Sequence, residues 1–157
     1  MDDGPRIPVA DDYVSALGRA AYYFSYLEWG IVWLVETLRP GFLQRVGGMT
    51  AGSISREFQQ VLLDCQDADA SELQALASTF ASLVRDRNGL LHGVPYTAAK
   101  GEQRLLHIGP SGRRDWSIET ILAAAQEFEA SAIEASRLLN GGRHAAYTAA
   151  TGNSLSI

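Results

Sequence analysis

The sequence predicts an all-α protein: a four- to five-helix bundle with a small hairpin or loop insert before the last helix. Three observations lead there. Apolar residues recur at alternating four- and three-residue steps over residues 13–38, 73–90 and 121–139, the mark of helices with one buried side. Clusters of Gly, Pro and Asn punctuate these stretches. A chain of 157 residues with 46% apolar content is enough for one domain around one core.

Residues 1–10 contain Pro5 and Pro8 and are expected to form an extended N-terminal arm. The bundle should occupy residues 11–140. Asp11 or Asp12 can cap the first helix. Its stripe runs through Tyr13, Leu17, Ala20, Phe24, Leu27, Ile31, Leu34 and Leu38, and Tyr22, Tyr23, Tyr26, Trp29 and Trp33 widen it. So much aromatic surface implies a central helix or part of a dimer interface. Trp29 and Trp33 therefore read as core or dimer contacts. Pro40 and Gly41 end the helix.

Residues 42–52 are glycine-rich and irregular, and Gly47-Gly48 lacks the lysine and hydroxyl residue of a phosphate loop. Ser53 can cap a short second helix with Ile54, Phe58, Val61 and Leu62 inside. Ser71 can cap the third, with Glu72 at the positive end of its dipole. That helix carries Leu73, Leu76, Phe80, Leu83, Arg87 and Leu90 at the same alternating step. Arg87 thus falls where a leucine is expected.

After Gly93 the pattern changes. Val94-Pro95-Tyr96-Thr97 and Arg104-Leu105-Leu106-His107-Ile108 flank a turn at Lys100-Gly101, so a small hairpin or a long loop is expected, with Pro95 allowing only an edge strand. Gly109 to Asp115 reads as another turn. Ser117 caps the last helix, whose inner face is Ile121, Ala125, Phe128, Ala132, Ala135 and Leu139. Asn140-Gly141-Gly142 ends it. Residues 141–157 hold few large apolar side chains and read as a mobile C-terminal tail.

The net charge of −5 gives no general attraction for nucleic acid, so an RNA site would need a local basic patch or a dimer that joins two. Twelve of the thirteen basic residues are arginine; this suits bidentate phosphate binding, although codon bias in an alanine- and arginine-rich genome is the preferred explanation. Cys65 is the sole cysteine and reads as a half-buried packing residue, which excludes an internal disulfide or cysteine zinc site and fits a reducing cytoplasm. The N-terminus lacks a signal-peptide pattern, and Glu28 and Glu36 interrupt the apolar run over 21–38. A cytoplasmic protein is expected. His107 in the insert and His144 in the tail have no helical metal spacing and read as surface residues, so no metal and no cofactor are expected.

The chemistry concentrates in Leu83-Val84-Arg85-Asp86-Arg87-Asn88-Gly89-Leu90-Leu91-His92-Gly93, the end of an amphipathic helix stopped by Gly93. Asn88 and His92 are one helical turn apart and share a face, and Arg85 lies on it too. Arg87 and His92 are about 140° apart on an ideal helix and converge only if the helix frays near Gly89 or a second chain completes the site.

Arg87-Asn88-Gly89-Leu90-Leu91-His92 resembles the signature of the HEPN family: an arginine, four to six intervening residues and then a histidine, often with Asn, Asp or His directly after the arginine. The aromatic first helix with Tyr26-Leu27-Glu28-Trp29 and the long final helix extend the resemblance over most of residues 11–140. It implies a metal-independent endoribonuclease, a homodimer with motif helices facing each other, and a toxin–antitoxin or phage-defence setting. A nucleotidyltransferase-like antitoxin would be the cognate partner. Arg87, Asn88 and His92 would be catalytic, with Arg85 and Glu28 supporting. Arg85 also satisfies the permitted spacing, so the two arginines compete.

His92 has the chemistry to take a proton from a ribose 2′-hydroxyl or give one to the leaving oxygen. A guanidinium can hold the scissile phosphate. Arg113-Arg114 beside Trp116 could bind RNA, with the indole stacking on a base, or the Trp could pack beneath the last helix. The rival reading is a non-catalytic bundle that binds a protein or nucleotide partner. In that case Arg87 pairs with Glu28 to fix helix packing, and Asn88 and His92 merely cap the helix end.

Overall fold

The computed structural model describes residues 7–110 and 112–152. Within them the chain forms α1 (Asp11–Leu38), a 3₁₀ turn (Val46–Gly48), α2 (Ala51–Val61), α3 (Ala70–Leu91), β1 (Val94–Thr97), β2 (Gln103–Gly109), β3 (Gly112–Trp116), α4 (Ile118–Asn140) and α5 (Arg143–Thr151). The fold is mainly helical, with five helices. It is not all-α, because residues 94–116 make a three-stranded antiparallel sheet in the order β1-β2-β3.

α1 is the central helix. It packs most extensively along α4 and also meets α2, α3 and α5. Leu27, Ile31 and Leu34 are fully withdrawn from water together with Phe58, Leu73, Phe80 and Phe128. Each such side chain contributes roughly 1.5–3 kcal/mol through burial. Phe24 stacks on Phe80 at 5.9 Å and meets the edge of Phe128 at 5.2 Å. Small residues let the two long helices approach: a Cβ on Gly30 would lie 3.2 Å from that of Ala135. Along the edge of the α1–α4 contact Tyr22, Tyr26 and Trp29 stay exposed, while Trp33 is buried. No helix among the described residues is long and apolar enough to cross a membrane.

The caps differ in detail from expectation. Ala10, not Asp11 or Asp12, sits at the start of α1, and both aspartates lie in its first turn. There they meet the positive end of the helix dipole. Thr50 rather than Ser53 caps α2, accepting from the Ser53 N–H at 3.2 Å. Asp69 rather than Ser71 precedes α3, and its carboxylate accepts from Arg143 at 2.6 Å instead of capping. Ser117 caps α4 as expected, accepting from the Thr120 N–H.

The expected turn at 109–115 is instead a tight reversal that lets β3 pair with β2, aligning Leu105 with Trp116, His107 with Arg114 and Ile108 with Arg113. Gly112 takes a φ of 108° there, which favours glycine. Trp116 is wholly buried. Its carbonyl accepts from the Tyr13 hydroxyl at 3.0 Å, tying β3 to α1. Burial, and then the charge of Asp115, pushes the Tyr13 phenol up to about 12, so it stays a neutral donor.

The expected mobile tail is corrected over residues 143–151, which form α5. Its sparse apolar content hid two strong anchors. Tyr147 is buried against Trp33 and donates to Glu36 at 2.7 Å. Arg143 pairs with Asp67 and Asp69 at 2.7 and 2.6 Å. The final residues of the tail, 153–157, lie outside the described residues. So do residues 1–6 of the arm. Of the rest of the arm, Pro8 and Ala10 are held by the Gln103 side chain at the start of β2.

Candidate nucleic-acid cleft

The last turns of α3 face the inner side of the β2–β3 pair. Between them opens a cleft of roughly 760 Å³. Arg85, Asn88 and His92 line one wall, and His107, Arg113 and Arg114 line the other. The three α3 residues share a face because they are spaced three and four apart. α3 stays helical to Leu91, with the His92 N–H donating to the Asn88 carbonyl at 3.0 Å. The helix does not fray at Gly89.

Two glycines set this geometry. Gly89 is buried under Trp116, and a Cβ there would lie 3.0 Å from the indole. A Cβ on Gly93 would lie 2.8 Å from that of Leu105. Gly93 follows His92 at the end of α3, as expected, but not in the left-handed conformation common at such glycines. It is absent from the positive-φ glycines, so crowding by β2 is the reason a glycine suits this position.

Arg87 and His92 do not come together. Arg87 is half-buried and lines a different groove, of roughly 500 Å³, with Glu28, Phe24 and Leu105. Its guanidinium lies over the Phe24 ring at 5.7 Å and donates to Asn88 Oδ1 at 3.0 Å. Within one chain the cleft takes Arg85, Asn88 and His92 and not Arg87; of the two routes by which Arg87 and His92 were expected to meet, the unbroken α3 removes fraying and leaves a second chain. The physical reason is the roughly 140° that separates positions five apart on an unbroken helix.

Glu28 faces the Arg87 groove, not the cleft. It forms no ion pair with Arg87 and no hydrogen bond at Oε2, which is buried. Desolvation raises its carboxyl pKa above the ordinary value, and the Arg87 charge only partly opposes this. The Arg87–Glu28 packing pair of the rival reading is therefore reduced to a longer-range attraction.

Arg113 and Arg114 are exposed on β3 rather than in a turn. Trp116 cannot stack on a base, because it is wholly buried and the Arg114 guanidinium covers it at 3.8 Å from the ring centre. Arg114 also pairs with Asp86 of α3, which pins the two walls together. Asp86 is the one carboxylate among the lining residues, so the cleft is a local basic patch on an acidic chain.

The sequence reading missed His107, which is half-buried in the cleft rather than loose on the surface. The two-residue period that puts Leu105 inward was the available signal, since it puts His107 inward as well. His144 lies on α5, away from this cleft. Cys65 is half-buried, as expected. Among the described residues, no group of three or more His, Cys, Asp or Glu could hold a metal ion.

Chemically, the arrangement places three guanidinium groups, one amide and two imidazoles around a single opening. Guanidinium groups bind phosphate oxygens and stabilise added negative charge. Imidazoles move protons near neutral pH. Comparison of the chain with protein-family models, with curated proteins and with solved structures found no match.

Proposed function

We propose that this protein is a metal-independent endoribonuclease of the HEPN type, acting in the cytoplasm as a homodimer, with its site in the cleft between α3 and β2–β3. The observation that carries the reading is that Arg85, Asn88 and His92 share one wall of a cleft whose other wall supplies Arg113 and Arg114. His92 moves a proton to or from the ribose-phosphate. Arg85 holds the scissile phosphate and stabilises its extra charge in the transition state. Asn88 donates to the same phosphate while its oxygen is held by Arg87. Arg113 tracks the RNA backbone, and Arg114, held by Asp86 and Trp116, adds its charge to the same wall. Arg87 is a positioning residue for Asn88.

The resemblance of residues 87–92 to the HEPN motif supports the reaction class. It also suggests the setting: a toxin or defence nuclease restrained by a nucleotidyltransferase-like antitoxin. The acidic whole chain is no obstacle, because the cleft concentrates the opposite charge and a second copy would double it.

The test is RNA cleavage in the presence of EDTA. His92→Ala is expected to lose about 10²–10⁴-fold in rate. Arg85→Ala should lose more activity than Arg87→Ala, whose main effect should be a lower melting temperature. Equal cleavage by wild type and His92→Ala, or no cleavage by either at high protein concentration, would defeat the ribonuclease reading.

A further inference from the structure

We propose that His107 is the second imidazole of the reaction and works across the cleft from His92, so that one takes a proton while the other supplies one. The inference rests on the ribonuclease reading of the same cleft. His92 ends α3 and His107 stands on the middle of β2, yet both line one opening. The His107 ring lies close to its own strand. It folds beside Gly109, where a Cβ would lie 2.8 Å from the ring Cε1. It also sits opposite Arg114 in the strand register. The charged and titratable groups around it are Arg85, Asp86 and His92 from α3 and Arg113 and Arg114 from β3. Asp86 is engaged by Arg114, which leaves Arg85 and Arg113 to receive a phosphate between the two rings.

The step balances without any other reagent. The 2′-hydroxyl proton passes to the neutral imidazole as the 2′-oxygen bonds to phosphorus. The bond from phosphorus to the 5′-oxygen breaks, and that oxygen takes a proton from the other, protonated imidazole. The products are a 2′,3′-cyclic phosphate and a 5′-hydroxyl end. The two rings have exchanged protonation states and reset by exchange with water. Two rings let both transfers occur in one concerted displacement, and a positioned proton-transfer group adds about 10²–10⁴-fold.

The experiment measures kcat/KM against pH on a short RNA for wild type, His92→Ala and His107→Ala, with His107→Gln as a second variant that preserves bulk beside Gly109. Wild type should give a bell-shaped profile. His107→Ala and His107→Gln should fall by at least about 100-fold and lose one limb of the bell, while His92→Ala loses the other. A substrate with sulfur in place of the bridging 5′-oxygen needs no proton on its leaving group. It should restore whichever histidine variant lacks the acid.

If His107→Ala stays within about threefold of wild type, or falls while keeping both limbs, His107 is no proton-transfer group. In either case the His92-dependent ribonuclease reading survives. If wild type cleaves no RNA, both readings fall together.

Discussion

Two carboxylates of α1, Glu28 and Glu36, are withdrawn from water in opposite ways. Glu36 is 2% exposed and wholly satisfied. Its oxygens accept from the Gly41 and Leu43 N–H groups at 3.0 and 2.9 Å and from the Tyr147 hydroxyl. Burial works to raise its pKa, but these donors together hold it below the ordinary 4.5. The unfolded chain therefore binds this proton more readily than the folded one. Ionised Glu36 stabilises the fold above pH 4.5, and that stability is lost as pH falls through the lower, folded value. Glu36→Gln, which turns an amide donor toward other donors, should cost about 2–3 kcal/mol at neutral pH. Its deficit in thermal melts should shrink below pH 4.5. A deficit independent of pH would contradict this account. Glu28 has the reverse sign. Its raised pKa means that folding is favoured below 4.5 and disfavoured as pH rises through the folded value. Glu28→Gln is expected to keep or raise the melting temperature at neutral pH, and a clear drop would show that the attraction to Arg87 outweighs desolvation.

At the scale of elements, the cleft depends on how closely α3 approaches the sheet. Gly89 permits contact with the rigid, fully buried Trp116 ring. Gly89→Ala would gain about 1 kcal/mol of helix propensity but force a methyl group against the indole, an overpacking cost of about 1–3 kcal/mol. The net expectation is a lower denaturation midpoint, together with reduced RNA cleavage as the two walls separate. Gly18 of α1 is the control, since a Cβ there meets nothing within 4 Å. Gly18→Ala should stabilise the fold by about 0.5–1 kcal/mol and so raise the midpoint. If both variants were stabilising, the contact between α3 and Trp116 would not limit the approach of these elements. The sheet also explains why an apolar stripe was a poor guide to Arg87. A stripe position faces the bundle, and the bundle here is open enough beside Phe24 to leave a groove in which the guanidinium rests on an aromatic face.

At the scale of the whole molecule, α5 closes the bundle against α1. Removing residues 143–157 would uncover Trp33 and Tyr147's partner Glu36, and would release Asp67 and Asp69 from Arg143. The truncated chain should melt cooperatively but at a lower temperature. An unchanged melting temperature would mean that α5 is an appendage. Taken alone, the sequence determined the first four helices and the face that each buries, because apolar spacing at the helical period is a local signal that burial then reinforces. It also marked residues 85–92 as the segment where polar groups interrupt that signal. Tertiary structure decided the rest. Pairing of residues 103–109 with 112–116 turned an expected turn into a third strand beside the expected hairpin and brought His107, Arg113 and Arg114 opposite Asn88 and His92. An unbroken α3 gave the cleft to Arg85 and sent Arg87 to the other side. A tail of small residues became a helix through one tyrosine and one arginine. Each outcome depends on partners far away in the chain, whose positions are fixed only when the core packs.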